Sequence, residues 1–163
     1  MIVVADTTPL CHLAWIEADW LLPRLFGEVH TPERVMGELR AEGAPDSVRR
    51  WAAHPPSWLR IHPDTPDEKR VLAFEAIDAG EREALALALA LQAALIVVDD
   101  HAARRAATEL GFVTTGTLGV LERAARMRLV DFDQTVSRLR ATSFWVRAST
   151  IEEIRRRLRS AGH

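Results

Sequence analysis

The sequence predicts an α/β protein in which a parallel sheet is wrapped by helices, and three observations carry that expectation. Two short, continuous, β-branched runs, Met1-Ile2-Val3-Val4-Ala5 and Ala94-Leu95-Ile96-Val97-Val98, have the composition of strands buried on both faces. Stretches with helical periodicity alternate with the strand-like runs, and that alternation produces a parallel sheet covered by helices. Both apolar runs also pass directly into carboxylates, Asp6-Thr7-Thr8 in the first case and Asp99-Asp100 in the second. In open α/β sheets ligands bind in the crevice beyond the carboxyl ends of the strands. Acids gathered there repel one another unless a cation sits between them, and oxygen-only ligands suit Mg²⁺ or Mn²⁺. The pattern points to a metal-dependent enzyme acting on phosphate esters.

The elements follow in order. A strand over 2–6 leads to a helix over about 8–17, a short helix over about 19–26 and a brief strand near 28–30. Thr31 is placed to cap a helix that has Pro32 at its first position and runs to about Ala41. A helix from Pro45-Asp46 to about Ala53 ends at Pro55-Pro56, and Trp58-Leu59-Arg60-Ile61-His62 reads as a strand. The polar stretch from Pro63 to Arg70 is expected to enter a helix over about 67–77, which Ala79-Gly80 breaks. A long buried helix over Glu81–Gln92, a strand over 94–98, a helix over 101–110 with Gly111 as its stop, a strand over 112–115 and a helix over 117–127 complete the alternation. The remainder reads as a helix over Phe132–Ala141, an extended piece over Ser143–Val146 and an arginine-rich amphipathic helix over Thr150–Ser160, packed through Ile151, Ile154 and Leu158.

With 163 residues, 48% of them apolar, and a formal net charge of −2, the chain is expected to be one domain with a full core. Cys11 is the single cysteine, which excludes a disulfide framework and a cysteine-based zinc cluster and leaves it as a small apolar residue. No basic segment leads into an apolar signal region, and the longest apolar stretch is interrupted by Gln92, so a cytoplasmic protein without a membrane span is expected. The near-neutral charge is unlike that of a typical nucleic-acid binder, although acids in one cleft would mask basic residues elsewhere.

Asp6 directly follows a strand, where it can face the cleft or cap the next helix, and Thr8 is close enough to orient it through a hydrogen bond. Glu38 borders the inward stripe formed by Val35 and Leu39, and it competes with a surface pairing to Arg34 worth about 0.3–0.5 kcal/mol. Glu81 and Glu83 open the long buried helix and point about 200° apart, so only one can look into the cleft, and Glu81 is the better placed. Asp99 and Asp100 point differently on extended backbone, so one can ligate a metal while the other caps the helix at His101. Arg104 and Arg105, one turn into that helix, are candidates for phosphate contact.

Five stretches, Val4-Ala5-Asp6-Thr7-Thr8-Pro9-Leu10, Pro32-x-x-Val35-x-x-Glu38-Leu39, Gly80-Glu81-x-Glu83-Ala84-Leu85, Val98-Asp99-Asp100-x-Ala102-Ala103-Arg104 and Gly116-Thr117-Leu118-Gly119-Val120-Leu121, resemble PIN-domain nucleases in the same order over residues 1–127. They most resemble the PIN-like, VapC-related toxin components of prokaryotes. The resemblance implies a three-layer α/β/α sandwich around a central parallel sheet of four to five strands. It also implies an Mg²⁺- or Mn²⁺-dependent endoribonuclease, dimeric and restrained by a small antitoxin protein. Carried onto this chain, the catalytic acids are Asp6, Glu38, Glu81 and Asp99, with Asp100 competing as a metal ligand and Thr8 as the supporting hydroxyl. Eighteen residues separate Glu81 from Asp99, as in VapC-related relatives. The chain departs from the pattern in having glutamate where the third acid is more often aspartate, and Val98 where threonine often precedes the fourth.

Two other classes compete. A non-catalytic PIN-like module binding RNA or a protein would gain nothing from clustered negative charge facing phosphates. A receiver-type phosphoacceptor domain needs a lysine after its last strand, and Lys69, the only lysine, lies elsewhere.

Overall fold

The computed structural model describes residues 1–66 and 69–162. Val3–Ala5 forms β1, followed by α1 (Thr7–Trp15), α2 (Leu21–Phe26), β2 (Val29–Pro32), α3 (Glu33–Arg40), α4 (Asp46–Ala53) and β3 (Leu59–His62). The second half contains α5 (Lys69–Leu72), α6 (Ala79–Leu91), β4 (Leu95–Val97), α7 (His101–Glu109), β5 (Thr114–Thr115), α8 (Thr117–Arg126), α9 (Phe132–Arg140) and α10 (Ala148–Ser160).

The five strands form one sheet in the order β3-β2-β1-β4-β5, and every pairing is parallel. Alternation of side chains along each strand divides the core in two. Val3, Ala5, Val29, Leu95 and Val97 face a core shared with α1–α4 and α8–α10, whereas Val4, Ile96 and Val98 face one shared with α5, α6 and α7. This is the three-layer α/β/α arrangement with a parallel central sheet. The chain runs outward from β1 through β2 to β3, then returns to place β4 on the other side of β1. The strand order therefore reverses between β1 and β4, and a crevice opens beyond their C-terminal ends. Asp6 follows the first of these strands, and Val98-Asp99-Asp100 follows the second.

Several boundaries differ from the sequence reading for physical reasons. Thr31 does not cap α3. It is fully buried in β2, where its hydroxyl donates to the Ala5 carbonyl at 2.8 Å, and Pro32 takes the capping position. Ala79-Gly80 does not break a helix but forms the first turn of α6, because Asp78 caps it: the Asp78 side chain accepts from the Glu81 amide and the Glu81 side chain accepts from the Asp78 amide, both at 2.8 Å. The helix expected over 67–77 is accordingly short, with α5 covering only Lys69–Leu72, and Asp67 and Glu68 lie outside the described residues. Beyond residue 127, Ile151, Ile154 and Leu158 are buried as expected, and α10 is tied to α8 by Arg157 and Glu122. Cys11 is half-buried against the larger core, and burial raises its thiol pKa. No helix among the described residues is long and apolar enough to cross a membrane.

Candidate acidic active site

Asp6 occupies the N-cap position of α1, yet its side chain makes no capping bond. The reason is in the sequence: the third helical residue is Pro9, which has no N–H to offer. The carboxylate is 4% exposed, and its Oδ1 has no hydrogen-bond partner. Burial is the main cause that lifts its pKa from an ordinary 3.8 to about 7; the Thr7 amide opposes the rise, and the charges of Glu81, Asp78 and Glu38 add to it. A buried, unpartnered acid surrounded by like charges is costly, and such groups cluster at functional sites.

Glu38 reaches the same place from α3. The Thr7 hydroxyl donates to its Oε2, and its Oε1 lies against the backbone of Gly80, where a Cβ would come within 2.5 Å. Glu38 thus joins the end of β1 to the start of α6 through contacts between residues distant in sequence, and glycine at position 80 leaves room for the carboxylate. The competing Arg34–Glu38 pair does not form; Arg34 instead donates to Glu83 at 2.8 Å.

That ion pair separates Glu83 from the acids, whereas Glu81 is among them. The Glu81 pKa is raised, first by burial and then by Asp78, Asp100 and Glu38, against the opposing Asp78 amide. Asp78 belongs to this cluster and was missed from the sequence, although Asp78-x-x-Glu81 is a capping-box pattern that could have revealed it. The supporting hydroxyl also moves by one residue: Thr7 engages an acid, while Thr8 is exposed. Thr7 and Thr8 are the first two residues of α1, about 100° apart round its axis, so a one-residue change turns the hydroxyl to another side.

The pair after β4 is arranged differently. Asp99 accepts from the Thr117 amide at 2.8 Å on Oδ1 and from the buried Thr117 hydroxyl at 2.7 Å on Oδ2, which fastens it to the start of α8. Asp100 caps α7 by accepting from the Ala103 amide at 3.0 Å. The Arg104 Nε donates to the Val98 carbonyl at 2.9 Å, and its guanidinium lies beside Gly116, where a Cβ would also come within 2.5 Å of Asp99 Oδ1. Arg104 and Asp99 therefore flank one point on the crevice wall, while Arg105 is exposed on the outer face of α7.

The structure thus brings Asp6, Glu38, Glu81 and Asp78 to one end of the crevice, with Asp100 bearing on Glu81, and places Asp99 with Arg104 on its flank. Their oxygen-only donor set, with one buried carboxylate oxygen unpartnered, fits a hard divalent cation in type. Among the described residues, no three His, Cys, Asp or Glu side chains already stand together as a metal-holding group. A cavity of about 740 Å³ between α8, α9 and α10 touches none of these acids and lies apart from the site.

A comparison with curated proteins gave no match. A family model described as a PIN domain matches residues 2–160, extending beyond the motifs to take in α9 and α10. With nearly the whole chain matched and the parallel sheet carrying its acids at the switch point, the chain belongs to the PIN-domain family.

Proposed function

We propose that this PIN domain is a divalent-metal-dependent endoribonuclease that hydrolyses RNA phosphodiester bonds, with Mg²⁺ or Mn²⁺ as its ion. The observation that carries the reading is Asp6: a buried carboxylate with an unpartnered oxygen, at the point where strand order reverses, with other acids around it. Asp6, Glu38 and Glu81 would hold the ion, with Asp99 and Asp100 at its flank. When bound, the cation supplies Lewis-acid activation of water and neutralises charge at the scissile phosphate. Thr7 holds the Glu38 carboxylate and Gly80 leaves room for it, Thr117 holds Asp99, and Arg104 offers a guanidinium to a phosphate next to the acids. A non-catalytic RNA- or protein-binding module is the weaker reading, because unneutralised acids facing phosphates oppose binding.

The order and spacing of the motifs support a finer assignment: the toxin half of a toxin–antitoxin pair, cytoplasmic, homodimeric and restrained by a small antitoxin protein. A short reading frame overlapping or adjoining this one would support the pairing, and an isolated gene would oppose it. The activity itself is tested by incubating a long RNA with the protein in Mn²⁺, in Mg²⁺ and in EDTA, beside the Asp6→Asn variant. Metal-dependent cleavage that the variant lacks while remaining folded is the expected result. Binding of RNA without cleavage in either metal would favour the module instead.

A further inference from the structure

The segment between α9 and α10 holds an exposed tryptophan in a fixed position. Trp145 is 78% exposed, while its neighbours Phe144 and Val146 are turned inward against the larger core. Phe144 is anchored twice: its ring meets the His12 ring edge-on at 5.1 Å between centroids, and its amide donates to the Thr142 hydroxyl at 3.1 Å. On extended backbone, residues two apart share a side, so Trp145 and the exposed Arg147 face outward together, about 6.6 Å apart along the chain. The Arg147 side chain has no ion-pair partner among the described residues.

Both residues line a groove of about 670 Å³ that also contains Arg104, His101 and Asp99, so it leads directly to the flank of the acidic crevice. Glu122 is the other acid on its wall, and it is neutralised by Arg157 at 3.0 Å to each oxygen and by Arg126 at 3.0 Å. Burying an aromatic face would suit many partners. The combination of an aromatic platform, a neighbouring free cation and a path that ends at Arg104 suits a nucleic-acid strand, whose bases stack and whose phosphates pair with arginine.

We propose that Trp145 and Arg147 form a positioning subsite for single-stranded RNA, with a base stacked on the Trp145 ring, its phosphate on Arg147, and the strand continuing along the groove to Arg104 and Asp99. This rests on the nuclease reading above. Residues of the segment between α9 and α10 would thereby set which strand reaches the acids without touching the reacting atoms.

The test has two arms. In EDTA, anisotropy of a labelled single-stranded RNA oligonucleotide measures binding by wild type, Trp145→Ala, Trp145→Phe and Arg147→Gln. In Mn²⁺, the same proteins are compared for KM and kcat. Trp145→Ala should weaken binding about 10-fold and raise KM similarly with kcat little changed, and Trp145→Phe should restore most of the loss. Arg147→Gln should weaken binding and lower the salt slope by about one. Binding and KM unchanged in Trp145→Ala would overturn the subsite, as would a loss of dimer by light scattering with RNA affinity retained, which would assign the ring to a protein interface. Wild-type cleavage with unaffected variants would remove the subsite and keep the nuclease. Trp145-dependent binding without any wild-type cleavage would keep the subsite and remove the nuclease.

Discussion

The ends of β1 and β4 look alike in sequence, an apolar run terminating in aspartate, yet the two ends hold their acids in opposite states. After β4 every carboxylate is satisfied: Asp100 caps α7 and Asp99 takes two bonds from Thr117. After β1 the Asp6 carboxylate is buried with an unpartnered oxygen, and its proton is held to about pH 7. The difference lies three residues downstream. Ala103 offers an N–H at the third position of its helix, and Pro9 does not. A strand-end acid thus marks where the crevice is; whether the acid is free for a ligand depends on the donors of the following helix.

This contrast yields opposite effects of mutation. The largest is expected at Asp6. Its folded-state pKa of about 7 lies above the ordinary 3.8, so the folded chain keeps its proton while the unfolded chain loses it. Metal-free stability should therefore fall as pH rises from about 4 to about 7 and level off above. Asp6→Asn removes that fall and should be more stable than wild type at pH 8 in EDTA, by up to about 4 kcal/mol. Denaturant titrations of both proteins at pH 4 and pH 8 measure the difference, and a gap that does not widen with pH would break the comparison.

Asp99→Ala should act in the reverse direction. It leaves the buried Thr117 hydroxyl and the first amide of α8 without their acceptor, costing roughly 1–3 kcal/mol of stability at pH 8. A neutral or stabilising result would mean that Asp99 is as free as Asp6. Gly80→Ala sharpens the same point. A glycine in an exposed helix interior normally gains about 1 kcal/mol on becoming alanine, but Gly80 is buried in the first turn of α6 and the new methyl would meet Glu38 Oε1. Cleavage should fall much more than melting temperature. A full helix-propensity gain with normal cleavage would show that Glu38 can lie elsewhere.

The smallest and most discriminating comparison is Glu81→Gln against Glu83→Gln. Calorimetric Mn²⁺ titration should show weaker binding for the first and near wild-type binding for the second, whose native partner is Arg34. The reverse order would exchange their roles.

The fold was legible because its signals are local: β-branched runs, helical periodicity and the strand-end acids, one of which had to cap α7, although only the structure shows that it is Asp100. Asp6 was legible for the same reason, since it sits at an element boundary that the sequence marks; Glu81 was legible as an acid in the first turn of a buried helix, although that helix begins two residues earlier, at Ala79. Spacing could not decide Glu38, because the contacts that place it come from Thr7 and Gly80, far along the chain. Thr31 misled because a cap and a buried strand hydroxyl share one residue type, and only the neighbouring Ala5 carbonyl distinguishes them. Asp78 was hidden by reading Ala79-Gly80 as a break, although the capping box already assigned both residues to α6. Pro9, the residue that frees Asp6, was visible throughout; its consequence depends on knowing where α1 begins.

Cation binding at Asp6 is tested most directly by the melting temperature of wild type and Asp6→Asn with and without Mn²⁺ at pH 7.5. Wild type should rise markedly with the metal, since binding to the folded chain relieves the buried acid. Asp6→Asn should start higher in EDTA and rise little. An equal Mn²⁺-induced rise in both proteins would show that the ion binds without Asp6 and would contradict the site described above.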